Sequence, residues 1–361
     1  MITISLCMIV KNEEETIERC LGSVRGIADE IIIVDTGSTD KTKEKASKFT
    51  DKIYDFQWVN DFSRARNYAF SKAAMEYILW LDADDIILPE DRAKFMELKF
   101  SLPEDVDAVM MKYNTSFDSN GKVTFSYYRE RLSKRIRGFQ WREPVHEYLE
   151  VYGKRINSDI CITHAKPAER QGSRNLHIYE NILAQGNELS SRGNYYYARE
   201  LKDNGKYKEA AEQFEKFLNL GRGWVEDNIN ACGELAKCLI LTGHDERALP
   251  AMLRSFTYDT PRAELCCQIG YWFKNKGKFR HALFWFETAT ELKKPEDSWG
   301  FINHDYWDYI PYLECTICCD KLGDYQKAEE YNEKAAMCKP DSQAVQYNRN
   351  YFQRRRDAEK V

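Results

Sequence analysis

Residues 76–89, with the sequence EYILWLDADDIILP, decide the fold of the N-terminal half. The apolar run at 78–81 has no polar alternation, so it predicts a strand that is buried on both faces of a sheet. Three carboxylates follow at once, on Asp82, Asp84 and Asp85. Because unpaired carboxylates are costly to bury, we expect a cation or several hydrogen-bond donors here. Such oxygen ligands suit Mg²⁺ or Mn²⁺. A solvated acidic turn or a helix N-cap is the alternative.

Further strands precede this stretch. Apolar runs at 2–10, 30–34 and 52–57 alternate with helical patterns and short connections. This alternation predicts a parallel sheet, and such sheets bind ligands outside the carboxyl ends of their strands. Asp35 and Asp82 both lie at predicted strand ends, so we expect them at the same edge.

Basic residues cluster at the start of a predicted helix. The helix begins at about Ser63, and Arg64, Arg66 and Asn67 fall in its first turn, after Asp61. Cations oppose the helix dipole at this end, so their placement indicates an anion bound nearby. The alternative is that the arginines pair with surface acids.

Length and composition indicate the number of domains and the class of protein. The 361 residues predict about two domains, and 43% hydrophobic with 31% charged residues is typical of a globular protein. A net charge of −5 argues against a nucleic-acid partner. No apolar run approaches the roughly 20 residues that cross a bilayer, and residues 1–10 lack the features of a signal peptide. Eleven cysteines, an odd number, fit reduced thiols. We therefore expect a cytoplasmic protein without a transmembrane segment.

Four motifs occur in one fixed order. They are VKNEE at 10–14, VDTGSTDKT at 34–42, FSRARNYAF at 62–70 and WLDADD at 80–85. Together they resemble the nucleotide-sugar half of a family 2 glycosyltransferase with a GT-A fold, which is an α/β catalytic domain with a Rossmann-like mixed sheet. The resemblance implies a nucleotide-diphospho-sugar donor.

The resemblance also implies roles for individual residues. The residues that would bind the nucleotide are Val10, Asn12, Asp35, Asp61, Arg66, Asn67 and Asp82. Asp82 and Asp84 would bind a divalent cofactor, Mn²⁺ or Mg²⁺, on the diphosphate. A metal there stabilises the charge that grows on the leaving group.

The acceptor half is expected to extend the sheet with a hairpin. Residues 106–113 predict a strand, 118–121 an Asn-Gly turn and 123–128 the returning strand.

A carboxylate in this half would serve as the catalytic base of an inverting transfer. In one branch of the resembled family, a His-Glu pair follows a Trp-containing loop, and this matches His146 and Glu147. We predict that Glu147 is the base, with His146 as its neighbour or substitute. Glu143 and Glu150 lie close by, and a surface position is the alternative for each glutamate.

His164 ends a short apolar run. GT-A enzymes often supply a third metal ligand from a histidine after the last strand of the catalytic domain. The resemblance therefore implies that His164 completes the metal site of Asp82 and Asp84. A structural role at a strand end is the alternative.

Beyond residue 170 the pattern becomes continuously helical. Four segments align through a glycine with an alanine five positions later, at Gly205 and Ala210, Gly243 and Ala248, Gly277 and Ala282, and Gly323 and Ala328. This spacing, repeated at about 34 residues, is the tetratricopeptide signature. We predict a GT-A domain at 1–170 and an all-α solenoid at 171–361. An aromatic insertion at 296–308 either forms a contact loop or packs on the solenoid.

The combined architecture is similar to bacterial peptide S-glycosyltransferases, although the acceptor half matches only around His146 and Glu147. We therefore expect a metal-dependent, inverting hexosyltransferase that moves a sugar from a UDP-sugar to a peptide or protein bound by the repeats. The alternatives are a saccharide or lipid-linked glycan acceptor, and an inactive repeat scaffold. A solenoid also offers surface for a homo-oligomer.

Overall fold

The run that precedes the acidic residues is a strand in the computed structural model. It spans Tyr77–Trp80, and all four side chains are buried. The prediction of a strand that is buried on both faces is confirmed, one residue earlier than expected. The structure describes residues 1–118, 120–165, 172–295 and 299–359.

The chain divides into an N-terminal unit, Met1–Leu189 with 299–301, and a repeat unit that holds most of the remainder. The strands of the N-terminal unit are β1 (Ile4–Val10), β2 (Glu30–Asp35), β3 (Ile53–Asp55), β4 (Tyr77–Trp80), β5 (Asp85–Ile86), β6 (Ala108–Phe117), β7 (Val123–Lys134), β8 (Trp141–Arg142), β9 (Tyr148–Leu149) and β10 (Arg155–His164). Its helices are α1 (Ile17–Ser23), α2 (Thr42–Ala46), α3 (Phe62–Ser71), α4 (Pro89–Ser101) and α5 (Arg174–Ala184).

The main sheet has the strand order β3-β2-β1-β4-β7-β6-β10-β5. The first four strands in this order are parallel, which confirms the parallel nucleotide half. Strand β7 is antiparallel to β4 and β6, and β5 is antiparallel to β10. Val10 and Asp35 are direct neighbours in the register of β1 and β2. The antiparallel pair places His164 opposite Asp85, which the sequence analysis did not anticipate.

Helix α1 covers one face of the sheet with an apolar stripe. Ile17, Cys20 and Leu21 are fully buried, and so is Val24 just beyond the helix. They pack with the side chains of β1 and β4 in one core cluster. Burial of such a stripe removes apolar surface from water, which is the main force that holds helix and sheet together.

The repeat unit consists of consecutive helices. They are α6 (Ser191–Asp203), α7 (Tyr207–Leu220), α8 (Val225–Leu241), α9 (Asp245–Arg254), α10 (Ala263–Asn275), α11 (Phe279–Glu291), α12 (Tyr309–Leu322), α13 (Tyr325–Cys338) and α14 (Gln343–Glu359). The predicted glycines have positive φ in the turns that follow α6, α8, α10 and α12. The paired alanines are fully buried where the second helix of each pair packs. The all-helical repeat architecture is confirmed, whereas the predicted boundary between residues 170 and 171 lies outside the described residues.

The aromatic insertion divides between the two units. Phe301 stacks on Phe125 with ring centroids 5.7 Å apart, and the Arg155 guanidinium lies 4.8 Å from the Trp299 ring, both within the N-terminal unit. Trp307 belongs instead to a core cluster of the repeat unit. Packing on the solenoid therefore holds for Trp307, the contact loop stays a prediction, and residues 296–298 lie outside the described residues.

Within the described ranges, we find no helix with both the length and the apolar sequence required to cross a membrane.

A close contact in the repeat unit gives a test of its packing. A Cβ added at Gly270 would lie 2.7 Å from the ring of the buried Phe286. We expect Gly270→Ala to lower the free energy of unfolding by roughly 1–3 kcal/mol, because the core there cannot take an extra methyl group. Thermal unfolding followed by circular dichroism measures the change.

The matched control is Gly22→Ala in α1, where an added Cβ meets nothing within 4 Å. Alanine favours a helix, so this variant should be as stable as the parent or slightly more stable. Equal losses in both variants would contradict the packing argument.

Candidate active site

The loop after β2 surrounds Asp35. Its Oδ1 accepts hydrogen bonds from the N–H groups of Gly37 (2.9 Å) and Ser38 (2.8 Å). Its Oδ2 is also buried and has no hydrogen-bond partner among the described residues. A buried carboxylate oxygen without a donor is costly, so this atom marks a place where a ligand donor fits.

The loop after β1 lies beside Asp35. The Val10 carbonyl accepts from Thr36 N (3.0 Å), and Asn12 Oδ1 accepts from Thr39 N (2.8 Å). Asn12 itself adopts the left-handed conformation, with φ of 56°. The structure thus brings Val10, Asn12 and Asp35 together, while their nucleoside-binding role stays a prediction.

A group of candidate metal ligands lies where β5 pairs with β10. One potential ligand atom from each of Asp84, Asp85 and His164 lies within 4.8 Å of the others. His164 Nδ1 is 3.5 Å from Asp84 Oδ1 and 3.6 Å from Asp85 Oδ1. Burial raises the pKa of Asp84 to about 6; Asp82 and Asp85 act in the same direction, and His164 opposes them. Carboxylate and imidazole donors fit Mn²⁺ or Mg²⁺, and a cation would relieve this repulsion.

Asp85, which the sequence analysis left without a role, anchors this group. Its Oδ2 accepts from Arg131 Nη1 (2.9 Å) and from Asp82 N (3.0 Å), and its Oδ1 accepts from the Tyr113 hydroxyl (2.7 Å). Asp85 and Arg131 are both fully buried, and the guanidinium lies 3.9 Å from the Trp80 ring. With both oxygens engaged, Asp85 is better suited to orient the site than to serve as an open ligand.

Tyr113 also determines which nitrogen of His164 is available. The Tyr113 hydroxyl has one proton and donates it to Asp85, so its oxygen accepts from His164 Nδ1, 2.9 Å away. We infer that His164 carries its proton on Nδ1 and leaves the Nε2 lone pair for a ligand. The Asp85 carboxylate also raises the pKa of His164.

Arg66 forms an ion pair with a residue of each predicted functional segment, the acidic segment that holds Asp82 and the later segment that holds Glu147. Its Nη2 donates to Asp82 Oδ1 (2.7 Å), and its Nε donates to Glu147 Oε1 (2.6 Å). Its guanidinium lies 4.8 Å from the Trp80 ring and 4.7 Å from the Trp141 ring. Burial acts to raise the pKa of Asp82, but the charge of Arg66 prevails and lowers it to about 2. The structure places Arg66 in a buried ion-pair network; its predicted contact with a nucleotide stays a prediction.

Of the other predicted site residues, Asn67 and Asp61 form hydrogen bonds within the protein, and His146 has a left-handed backbone conformation. Asn67 donates to the Trp141 carbonyl (3.0 Å) and accepts from the Trp141 N–H (2.8 Å). Asp61 is the N-cap of α3, where its side chain accepts from Arg64 N (3.1 Å). His146 precedes Glu147 with a φ of 51°. These contacts are compatible with structural roles, and the predicted binding roles remain untested.

The family of the N-terminal unit follows from comparison with known proteins. Residues 5–168 match the model of the glycosyl transferase family 2, and residues 263–295 match a tetratricopeptide repeat. The N-terminal unit is therefore a family 2 glycosyltransferase domain, followed by tetratricopeptide repeats.

Two curated relatives share this architecture in part. A TPR repeat-containing protein of Synechococcus elongatus is 37% identical over 155 residues, which cover 42% of this chain and 36% of the relative. The SPbeta prophage-derived glycosyltransferase SunS of Bacillus subtilis is 28% identical over 231 residues, which cover 60% of this chain and 53% of SunS. The chain thus spans only about a third to a half of these relatives.

Solved structures align more loosely. A glucosyl-3-phosphoglycerate synthase of Mycobacterium tuberculosis, in complex with Mg²⁺ and UDP, is 22% identical over 31% of this chain and 44% of its own, with a TM-score of 0.27. YrrB, a TPR protein, is 22% identical over 49% of this chain and 82% of its own, with a TM-score of 0.38.

The different surroundings of Asp84 and Asp85 give a test. At pH 7.5, above its raised pKa, the folded chain carries an ionised Asp84 that costs stability, so Asp84→Asn should leave unfolding unchanged or make it harder. Asp85→Asn should lower the free energy of unfolding by roughly 3–5 kcal/mol, because it leaves Arg131 buried without its counter-ion. Urea unfolding in EDTA measures both.

The two variants serve as controls for each other, since each removes one carboxylate charge from neighbouring positions. Equal changes in stability would contradict the anchoring role of Asp85.

Proposed function

We propose that the protein is a metal-dependent, inverting glycosyltransferase that transfers a sugar from a UDP-sugar to a peptide or protein. The observation that carries the proposal is the Asp84, Asp85 and His164 group, beside Asp82, in a family 2 glycosyltransferase domain. Metal-type ligands at the carboxyl edge of a parallel sheet are suited to a nucleotide diphosphate.

Donor binding is assigned to the parallel half of the sheet. The unpaired Asp35 Oδ2 offers an acceptor for a hydroxyl or N–H group of the nucleoside. Asp84 and the Nε2 of His164 would hold Mn²⁺ or Mg²⁺, with Asp82 at the ribose or the metal. When bound, the ion stabilises the negative charge on the departing diphosphate without proton transfer.

Glu147 is proposed as the base that takes the proton of the acceptor nucleophile as the nucleophile attacks the anomeric carbon. Its side chain is largely buried, and the Arg66 contact holds it in a fixed position. Glu150, an alternative from the sequence, instead pairs with Arg142, and both side chains of that pair are about half exposed. This supports a surface role for Glu150.

The acceptor assignment is supported by the repeats. Tetratricopeptide arrays present extended surfaces and commonly bind peptides or proteins. We therefore propose a polypeptide acceptor that the repeat unit recruits.

Donor binding tests the first part of the proposal. We expect UDP to bind in the presence of Mn²⁺ and to lose most of this affinity in Asp82→Ala/Asp84→Ala, because the metal loses its carboxylate ligands. Titration calorimetry with and without Mn²⁺ measures the binding.

The control for the lost charges is Asp105→Ala/Asp159→Ala, which removes two exposed carboxylates of the same unit. It should bind UDP like the parent. Failure of the parent protein to bind UDP with Mn²⁺ would contradict the proposed donor and favour an inactive scaffold.

The base is tested by Glu147→Gln. We expect transfer to fall by about 10²–10⁴-fold, because the proton acceptor is lost, while UDP binding persists. Transfer of radiolabelled sugar from UDP-sugars to peptides, oligosaccharides and lipid-linked glycans measures the activity.

Glu150→Gln is the matched control and should transfer like the parent. Transfer to free oligosaccharide with none to peptides would overturn the polypeptide acceptor while leaving the donor assignment intact.

A further inference from the structure

We propose that Arg66 and Asn67 are positioning residues that hold the base loop, defined as residues 139–149, against α3. The proposal rests on the proposed function where it treats Glu147 as the base. It departs from the expectation that Arg66 and Asn67 lie against the nucleotide.

The Asn67 side chain binds main-chain atoms of the base loop. Its amide donates to the Trp141 carbonyl and accepts from the Trp141 N–H, at 3.0 and 2.8 Å. The side chain thereby supplies both hydrogen bonds that a neighbouring strand would supply at that residue. A nucleotide would have to displace this pair to use the same amide atoms.

The Arg66 guanidinium binds a side chain of the base loop, that of Glu147. One guanidinium bonds to Glu147 through Nε and to Asp82 through Nη2, and it packs against the rings of both Trp80 and Trp141. The planar, rigid fork of arginine fixes two carboxylates at a set separation, which a lysine ammonium does not reproduce. The proposed base and the donor-side Asp82 therefore share one cation.

Further contacts tie the same helix to the same loop. The Phe62 N–H donates to the Pro144 carbonyl (2.9 Å), and Phe70 meets Trp141 edge to face at 5.7 Å. These contacts begin at the first residue of α3 and reach its last turn. Residues spread along the motif FSRARNYAF thus contact the base loop.

Backbone strain in the base loop gives an independent reason for such contacts. Glu143 and His146 have φ values of 73° and 51°, a region that costs energy for residues other than glycine. Such conformations persist when the surroundings hold them. They flank Pro144, which α3 binds, and they precede the residue that Arg66 binds.

Hydrogen exchange measured by mass spectrometry on the full chain tests the proposal directly. In Asn67→Ala we expect the peptides that cover 139–149 to exchange about tenfold faster or more, since both hydrogen bonds to Trp141 are lost. Exchange in β1, β2 and the repeat unit should not change. The control is Ser71→Ala, an exposed residue of the same helix whose hydroxyl bonds only to its own helix.

Kinetics and binding then separate the two roles. For Asn67→Ala we expect kcat to fall about ten- to a hundredfold, because a misplaced base is ineffective, while the donor KM and the UDP affinity stay within about twofold. Arg66→Lys should lower kcat in the same way and restore part of the activity lost in Arg66→Gln. A direct nucleotide contact predicts the opposite split, with weaker UDP binding and an unchanged loop, and that result would overturn the proposal.

The outcomes remain distinguishable if other parts fail. If the parent protein transfers no sugar, the proposed function fails, and hydrogen exchange still decides whether α3 holds the loop. If Asn67→Ala does not fold by circular dichroism, Arg66→Lys takes its place in the exchange experiment. Unchanged exchange at 139–149 in a folded variant would overturn the proposal.

Discussion

The buried ion pair between Asp85 and Arg131 is the interaction on which the site depends. Neither side chain has any exposed surface, so each charge must be compensated inside the protein. Asp85 is the first residue of β5, Arg131 lies on β7, and Tyr113 of β6 bonds to the same carboxylate. A buried pair of this kind adds little net stability, but breaking it is expensive. It therefore specifies how three strands come together beneath the acidic loop.

The three neighbouring aspartates end up in three different electrostatic states. Arg131 neutralises Asp85, and Arg66 neutralises Asp82. For Asp84, the described residues place His164 Nδ1 3.5 Å away and provide no ion pair with an arginine or lysine. Burial raises the pKa of Asp84, and the neighbouring Asp82 and Asp85 act in the same direction. The divalent cation of the proposed function would be the third positive partner, held by one carboxylate and one imidazole.

The sequence was informative where the signal is local. An apolar run without alternation predicted the doubly buried β4, and the alternation of strands with helical patterns predicted the parallel half of the sheet. The Gly-Ala spacing likewise predicted the helical hairpins, since each turn needs a residue with positive φ.

The features of the site that the sequence did not predict depend on contacts between residues that are far apart in the chain. His164 lies opposite Asp85 because of the register between β5 and β10. Strand β5 has two residues, which is too short for a hydrophobic pattern that would predict this register. Arg131 and Tyr113 carry no motif, and their roles come from strands that pair across the sheet. Arg66 was recognised as unusual from its position, but its partner Glu147 lies on a loop that only the folded chain brings to α3.

The segment 299–301 makes the N-terminal unit discontinuous along the gene, since this segment belongs to it while the residues on either side group mainly with the repeats. Phe301, which stacks on Phe125, is thus encoded far downstream of the strand β7 that it contacts. An exchange of the chain beyond residue 298 would remove this aromatic side chain and its stack on Phe125. A graft that keeps the N-terminal unit whole must therefore carry residues 299–301 with it.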